Sequence, residues 1–573
     1  MDIGLVGDGP AIEAVEAALS DVGVNVFPVD PDPAVLESLS VAVVAGTTGD
    51  PAFRTVDDAL DRWIAIEVGG IGGFPIDPLD AAVTVFDETC YDCLHARVEA
   101  GDVEPADRPT GVRSAVRYAG AVAGRRTIDL LSGGRPVADT VVEVPGDERI
   151  LLPVPGCSCT DGDRTRSIPR DHEDVPLDDA LDRAQRAVDD RIGPVAEVGE
   201  RESFPVPYYI SRIADTTPFS DVRAAEFAAG VDVDWDAAFM RALGEGLERY
   251  AAGVYRDEDF EHARPDDLES PIPPDRFLTP EPVAPDDVGS IPWVAGERLD
   301  TGDPVSLPAE FVHFPPPSSR FRPSITTGLG LGNSGIEATL SGLYETIERD
   351  ATMIAWYSTI EPVELSLDDG SPSGDHGTLS DLESRARAED LSVTTLLATV
   401  DVDVPVVAAA VHREDEWPRF AAGSAANLDP AAGARSAVGE ALQNWMELRS
   451  MGPEAAAEEG AAIGHHADFP AVTREFFSPD VAVDAEGLGE PDLEGTAELD
   501  AVLDRLSESG LTAYASRTTT RDVAHLGFEA ARVLVPEAQP LFTGDPFFGD
   551  RVRSVPESMG FEPDLDREYH PFP

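Results

Sequence analysis

Four cysteines are all the chain has, and they stand as two close pairs, Cys90-Tyr-Asp-Cys93 and Cys157-Ser-Cys159. A pair two or three residues apart offers two thiolates from one turn of backbone. Two such pairs match the four-sulfur, tetrahedral coordination of structural zinc, with bonds of about 2.3 Å. Four protein ligands leave no open position for a reacting group, so a Zn2+ held by Cys90, Cys93, Cys157 and Cys159 is read as structural. Two disulfides or four buried thiols are the competing readings. Met1 to Gly7 carries neither the basic stretch nor the long apolar run of a secretion signal, and the cytoplasmic setting this suggests disfavours disulfides.

Two other segments hold carboxylates at helical spacing. Arg241 to Tyr250, RALGEGLERY, sets Glu245 and Glu248 three apart, and Glu337, Glu345 and Glu348 recur between Gly328 and Asp350. Positions three apart on a helix share a face. At 3.6 residues per turn the latter three acids fall within an arc of about 80°, flanked by Ile336, Leu340, Leu343 and Ile347, with Thr339, Thr346 and Asp350 facing away from it. Mg2+ takes carboxylate oxygens and bridges them to nucleotide phosphates. Two such helices facing each other would hold two or more Mg2+ and, through them, a triphosphate. The competing reading of Glu-x-x-Glu-Arg is a solvated helix face with local ion pairs, and Ser334-x-x-Glu337 also reads as a capping box.

Composition narrows the chemistry. The 573 residues, 42% hydrophobic and 26% charged, describe an ordinary globular chain of two to four domains. The charge is not ordinary: 42 basic residues against 109 acidic give a net charge of -67, and every basic residue is arginine. Without lysine there is no Walker-type phosphate loop, no protein-kinase site and no pyridoxal Schiff base. A nucleotide must be held by other means. The acidic excess reads as a halophilic adaptation to a high-salt cytoplasm, where salt screens the repulsion, and it disfavours nucleic acid and anionic membrane as partners. No apolar run approaches the roughly 18 residues of a membrane span.

The elements that must carry these groups follow from the hydrophobic pattern. Asp2–Val6, Val24–Val29, Val41–Ala45 and Trp63–Val68 read as strands and Ala11–Val22 as a helix, an open-sheet βαβ pattern. Gly7-x-Gly9 is only part of a dinucleotide fingerprint. Leu177–Asp190 reads as a short helix in a linker, Arg256–Gly289 as Pro- and Asp-rich loop, and Asp368–His376 and Gly452–His466 as low-complexity surface insertions. No tandem repeat is legible. The fold class is α/β and α+β: a small open-sheet domain over 1–165 with the zinc tetrad, a linker over 166–195, and a large α+β domain over 196–573.

Two family resemblances sharpen this. Glu88 to Arg97, ETCYDCLHAR, resembles the zinc-binding stretch of ThiF-like domains, which in azole-forming systems accompany a YcaO domain and help deliver the substrate. Gly328 to Ala351, GLGLGNSGIEATLSGLYETIERDA, resembles the YcaO hallmark. Ala242–Tyr250, Trp293–Ala309 and Ala425–Gln443 are similar to further YcaO segments, in family order. The resemblance implies ATP and Mg2+ as cofactors, Mg2+ ligation by Glu245, Glu248, Glu345 and Glu348, and nucleotide contacts from Asn333, Glu337 and Arg435. Arg241 stands where a small or hydroxyl residue is usual, and Ser436 where an arginine is common, one place after Arg435. Azole-forming members end in a Pro-x-Pro-x-Pro run whose terminal carboxylate reaches the active site. Here the chain ends His570-Pro-Phe-Pro573, which makes the Pro573 carboxylate a candidate catalytic group or simply a stiff tail.

The implied activity is ATP-dependent activation of backbone amides in a peptide or protein, giving azolines from Cys, Ser or Thr, or thioamides from external sulfide. A non-catalytic scaffold of the same fold is the alternative from another class. A homodimer is expected, and a sulfur donor or leader-binding protein stays open as a partner. The charge itself is testable. Dialysis from molar salt to millimolar salt should remove the helical circular-dichroism signal or precipitate the protein, and an unchanged spectrum across that range would refute the expectation.

Overall fold

The computed structural model describes residues 2–132, 138–159, 166–367, 376–458 and 463–573. The chain divides into two units. One comprises Met1–Arg164, Arg183–Glu197 and Arg212–Glu226, the other Thr165–Asp182, Val198–Ser211 and Phe227–Pro573.

The first unit is built on a seven-stranded sheet in the order Asn25–Pro28, Asp2–Val6, Val41–Thr47, Trp63–Val68, Ala81–Phe86, Thr140–Val144 and Glu148–Ile150. The first four strands run parallel and the rest pair antiparallel. Alternate residues serve opposite faces. Val43, Ile64, Ile66, Val83 and Val85 pack with helices Pro10–Leu19 and Arg113–Leu131, while Ala42, Val44, Trp63, Ala65 and Phe86 pack against Phe53, Tyr91 and Leu94. The predicted strands Asp2–Val6 and Trp63–Val68 stand as read. The predicted helix Ala11–Val22 is shorter, Pro10–Leu19, because Pro10 starts it and the chain turns at Ser20. The Gly7-x-Gly9 turn has a plain structural cause: Gly7 has φ +103°, and a Cβ there would lie 2.2 Å from the Ala45 carbonyl oxygen.

The second unit holds two larger sheets. One has five strands, in the order Phe420–Ala426, Val406–His412, Ser392–Leu397, Val363–Ser366 and Ala482–Asp484. The other has six: Glu261–Ala263, Ile291–Arg298, Tyr514–Arg517, Glu529–Leu534 and Leu329–Gly332, with Pro304–Pro308 paired to Ile291–Arg298. Helix Gly335–Trp356 packs on both sheets and buries 18 of its residues, including Ile336, Leu340, Leu343 and Ile347. Val406, Ala408 and Ala410 face this helix, whereas Val407, Ala409 and Val411 face helix Pro430–Met451, so the five-stranded sheet is apolar on both sides. Among the described residues no helix is long and apolar enough to cross a membrane.

Several loop readings change. The Arg256–Gly289 segment contains short 3-10 turns and the strand Glu261–Ala263. Residues 368–375 of the first low-complexity insertion, and 459–462 of the second, lie outside the described residues. The second insertion does not end on the surface. His466 is buried, its ring nitrogens meeting Thr473 Oγ1 and the Tyr569 carbonyl oxygen, each at 2.6 Å.

The side of helix Gly335–Trp356 that faces away from the acids is buried too. Asp350, 2% exposed, accepts from Arg551 at 2.6 and 3.1 Å and from the Gln539 N–H at 2.7 Å, and Arg551 also pairs with Asp401 at 2.7 Å. Removing one partner of a buried ion pair strands the other charge. Asp350→Ala should therefore cost about 3 kcal/mol in denaturant unfolding at molar salt. A loss under about 1 kcal/mol would show the network to be dispensable.

Candidate active site

Three strand–turn–helix units build the site. Strand Phe227–Val231 leads into helix Trp235–Ala252, Leu329–Gly332 into Gly335–Trp356, and Phe420–Ala426 into Pro430–Met451. Each helix starts on a side-chain cap. Asp234 accepts from the Asp236 and Ala237 N–H groups, Ser334 from Glu337 and Asp429 from Ala431, which satisfies donors the first turn leaves unpaired. In each unit a backbone N–H at or beside the strand donates to a glutamate on the helix that follows. Ala229 donates to Glu245 at 3.1 Å, Gly328 to Glu345 at 2.9 Å and Ser424 to Glu440 at 2.7 Å.

These units enclose a cavity of about 460 Å3 whose lining includes Glu245, Glu248, Asn333, Glu337, Arg435 and Glu440. Glu345 and Glu348 are not among the lining residues. They gather with Glu440 around Arg349, whose guanidinium lies 4.0 Å from Glu345, 3.4 Å from Glu348 and 3.8 Å from Glu440. Arg249 plays the same part on the first helix, 2.8 Å from Glu245 and 3.8 Å from Glu248. Arg349 also donates to the main-chain oxygen of Pro573 at 3.0 Å. The tail is held on its way there by Trp356 Nε1, which donates to the Glu568 carbonyl at 2.8 Å, and by His570 Nε2, which donates to the Phe542 carbonyl at 2.9 Å.

The electrostatics are those of acids short of positive charge. Burial pushes Glu248 up to about 8; Arg249 opposes the rise, and Glu245 and Glu345 add to it. Burial also takes Glu348 to about 8, against Arg349 and the Ser424 hydroxyl and with help from Glu440 and Glu345. Glu440 is raised as well, chiefly by burial. A carboxyl raised on folding contributes stability that is full below its unfolded value of 4.5 and is lost as pH rises through about 8. Near neutrality these acids call for protons or cations, and hard oxygen donors of this kind suit Mg2+.

Sequence reasoning singled out the first two acidic helices and missed Glu440 and its neighbour Gln443, both on the cavity wall. Their signal was the same spacing, Glu-x-x-Gln in the place of Glu-x-x-Glu. Arg241, unusual at its position, is tied to Asp232 at 3.1 Å on the cavity rim. The capping-box reading of Ser334 and Glu337 is half realised. Ser334 Oγ accepts from the Glu337 N–H at 3.2 Å, but the Glu337 carboxylate turns instead to Asn333, accepting from its N–H at 2.8 Å and its Nδ2 at 3.1 Å.

In the first unit the four cysteines converge, with all four sulfurs within 4.8 Å of one another. Cys90 lies 3.4 Å from Cys157, and Cys93 lies 3.7 Å from Cys159. Bonds of about 2.3 Å in a tetrahedron put sulfurs about 3.8 Å apart, so the donor set fits zinc. The N–H groups of Cys93 and Val154 point at Cys90 and Cys93 sulfurs, each at 3.4 Å. Buried Arg97 holds the approach to the second pair by donating to the Leu152 and Pro153 carbonyls. The Cys157 and Cys159 sulfurs, then burial, push the Cys90 thiol up, and four thiolates at this spacing need a cation among them.

A family model described as YcaO cyclodehydratase, ATP- and Mg2+-binding, matches residues 229–539, more than half of the chain. A relative from Methanothermobacter thermautotrophicus, an uncharacterized protein, is 29% identical over 353 residues, covering 59% of this chain and 88% of its own. Another, from Rhizobium leguminosarum bv. trifolii and described by its place in the tfuA 3' region, is 30% identical over 173 residues, 28% of this chain and 41% of the relative. Among solved structures, a heterocyclase in complex with substrate and cofactor superposes with a TM-score of 0.72 at 18% identity, covering 100% of this chain and 85% of that one. The heterocyclase TruD gives 0.65 at 16% identity, over 98% and 82%. At these identities the two structures speak for the fold, and the matched family region, beginning at Ala229 beside the first acidic helix and containing both glutamate pairs, speaks for lineage: the chain belongs to the YcaO family of ATP- and Mg2+-binding cyclodehydratases.

Proposed function

We propose that the chain converts Cys, Ser or Thr residues of a peptide or protein to azolines, with ATP taking up the water. The side-chain heteroatom adds to the preceding backbone carbonyl and gives up its proton. The resulting oxyanion attacks the γ-phosphorus and ADP leaves. Phosphate then departs with the former amide oxygen as the C=N bond forms and the amide N–H proton is lost. The balance is amide plus ATP to azoline, ADP and phosphate.

The observation that carries this reading is that Glu245, Glu248 and Glu440 stand on the wall of one cavity, with Glu345 and Glu348 gathered beside Glu440 around Arg349 and Arg249 beside the first pair, in a chain without lysine. Bound Mg2+ would neutralise the phosphates and the charge that builds on them, with Glu245, Glu248, Glu345 and Glu348 as its holders. Asn333, Glu337 and Arg435 line the same cavity and would orient the nucleotide. Arg349 tethers Pro573, which supports a role for its carboxylate in managing the protons released. A cavity of about 460 Å3 falls within the usual range for small-molecule sites. The 1–165 domain, with structural zinc on its four cysteines, would present the substrate.

Glu345→Gln or Glu348→Gln should lower peptide-dependent ATP turnover by at least about 100-fold, and in Glu348→Gln the melting temperature should hold or rise, since a carboxyl that burial pushes up has been replaced by an amide. Thr346→Ala is the contrast. Thr346 is buried, its hydroxyl donating to the Gly342 carbonyl at 2.8 Å, so its loss should cost about 1 kcal/mol of stability and spare turnover. Mg–ATP calorimetry beside a thermal melt decides. Wild-type affinity and turnover in both Gln variants would put the scaffold reading ahead.

For the cysteines, elemental analysis of protein purified in high salt should find about one zinc per chain, and Cys93→Ser should release it. Four readily titrated thiols with no metal would sink the tetrad.

A further inference from the structure

The stretch that follows the second cysteine pair reads in sequence as linker, yet residues 166–173 lie on the second unit, over the start of helix Gly335–Trp356. Ile168 is 5% exposed and joins the core formed by Ile336 and Leu340. Gly335 leaves room for the crossing, since a Cβ there would lie 2.3 Å from the Pro169 carbonyl oxygen and 2.7 Å from Ile168 Cγ2. Arg166 donates to the Arg517 carbonyl at 3.2 Å, and Arg170 to Glu297 at 2.5 Å and to the Leu299 carbonyl at 3.4 Å. The crossing is thus fastened on both sides of the helix start.

What this strap delivers is His172. Its ring rests on Gly495, which has φ +60° and where a Cβ would lie 2.5 Å from the ring. Its Nδ1 stands 3.9 Å from Glu337 Oε1. The other oxygen of Glu337 is already taken by Asn333. Glu337 is on the cavity wall, so its carboxylate is held by Asn333 from within the family region and faced by His172 from outside it, since the family match begins only at residue 229. The acids near His172, Glu498 among them, do not compete equally for it: Glu498 is engaged by the Tyr344 hydroxyl at 2.5 Å.

We propose that His172 is a positioning residue for the nucleotide. A glutamate side chain has three rotatable bonds, and a contact to one oxygen leaves it free to swing the other. The imidazole, carried by its strap and seated against Gly495, limits that swing and keeps Glu337 turned toward the cavity, so that less ordering remains to be done when Mg–ATP arrives. The 3.9 Å separation is at ion-pair range, and a small turn of either side chain closes it to a hydrogen bond. This rests on the reading of Glu337 as a nucleotide contact. It adds that a segment outside the matched family region completes the nucleotide site.

The test is Mg–ATP affinity by calorimetry on the full chain in molar salt, with a thermal melt for each variant. His172→Ala should weaken Mg–ATP by about 10-fold, the effect of one polar contact, with an unchanged melting temperature. His172→Gln, which keeps a donor, should recover most of that loss. In a Glu337→Gln background His172→Ala should have no further effect. If Glu337→Gln weakens Mg–ATP but neither His172 variant does, or if His172→Ala costs as much with Glu337 replaced as without, or if the only change is a lower melting temperature, His172 does not act through Glu337 and the proposal is overturned. If Glu337→Gln itself binds Mg–ATP as wild type does, the nucleotide reading of Glu337 falls instead. The Gln variant keeps the question decidable should the alanine variant fail to fold.

Discussion

Taking a carboxylate out of water is costly unless donors and positive charge come with it, and the second unit brings five together, three of them, Glu248, Glu348 and Glu440, pushed up by burial. The cost is met twice over. A strand N–H engages one glutamate of each helix, and two arginines sit among the rest. Arginine is suited to that position because it keeps its charge when buried, whereas a lysine there would be pushed to release its proton. For Arg349 burial pulls downward, and Glu348, Glu440 and Glu345 more than restore it. The two sheets and the three helices are best understood as the scaffold that brings these donors within reach. Helix Gly335–Trp356 is buried on nearly every side because it must meet strands from both sheets.

Local patterns made much of this legible. Strands such as Trp63–Val68 are short apolar runs bounded by turns, and the four cysteines are too few and too evenly paired to be incidental. Glu245, Glu248, Glu345 and Glu348 declared themselves by spacing and by the strings around them. Glu440 did not, because Gly439-Glu440-Ala-Leu-Gln443 offers one acid and an amide, which resembles any helix surface until the strand Phe420–Ala426 is seen to hold it. His172 and His466 were invisible for a different reason. Each sits in a stretch whose composition reads as linker or insertion, and each meets its partner far along the chain: His172 faces Glu337, 165 positions on, and His466 bonds to Tyr569, 103 positions on. Such contacts leave no periodic trace. Asp350 and Thr346 were correctly placed away from the acids, but that side of the helix is core, because the helix lies between sheets and has no solvent side to offer.

The strand-to-glutamate bonds also fix lengths of chain. Their separations along the chain are 16, 17 and 16 residues, although the three segments share no obvious sequence. Each is a ruler running from an anchoring N–H through a turn and up a helix. A residue inserted within any of them would rotate its glutamate by about 100° and lift it by about 1.5 Å, away from its donor. The Pro- and Asp-rich run from Arg256, the stretch around residue 370 and the segment after Gly452 all fall outside the rulers. Length in this protein is free to vary where no carboxylate is being measured out, and is fixed where one is.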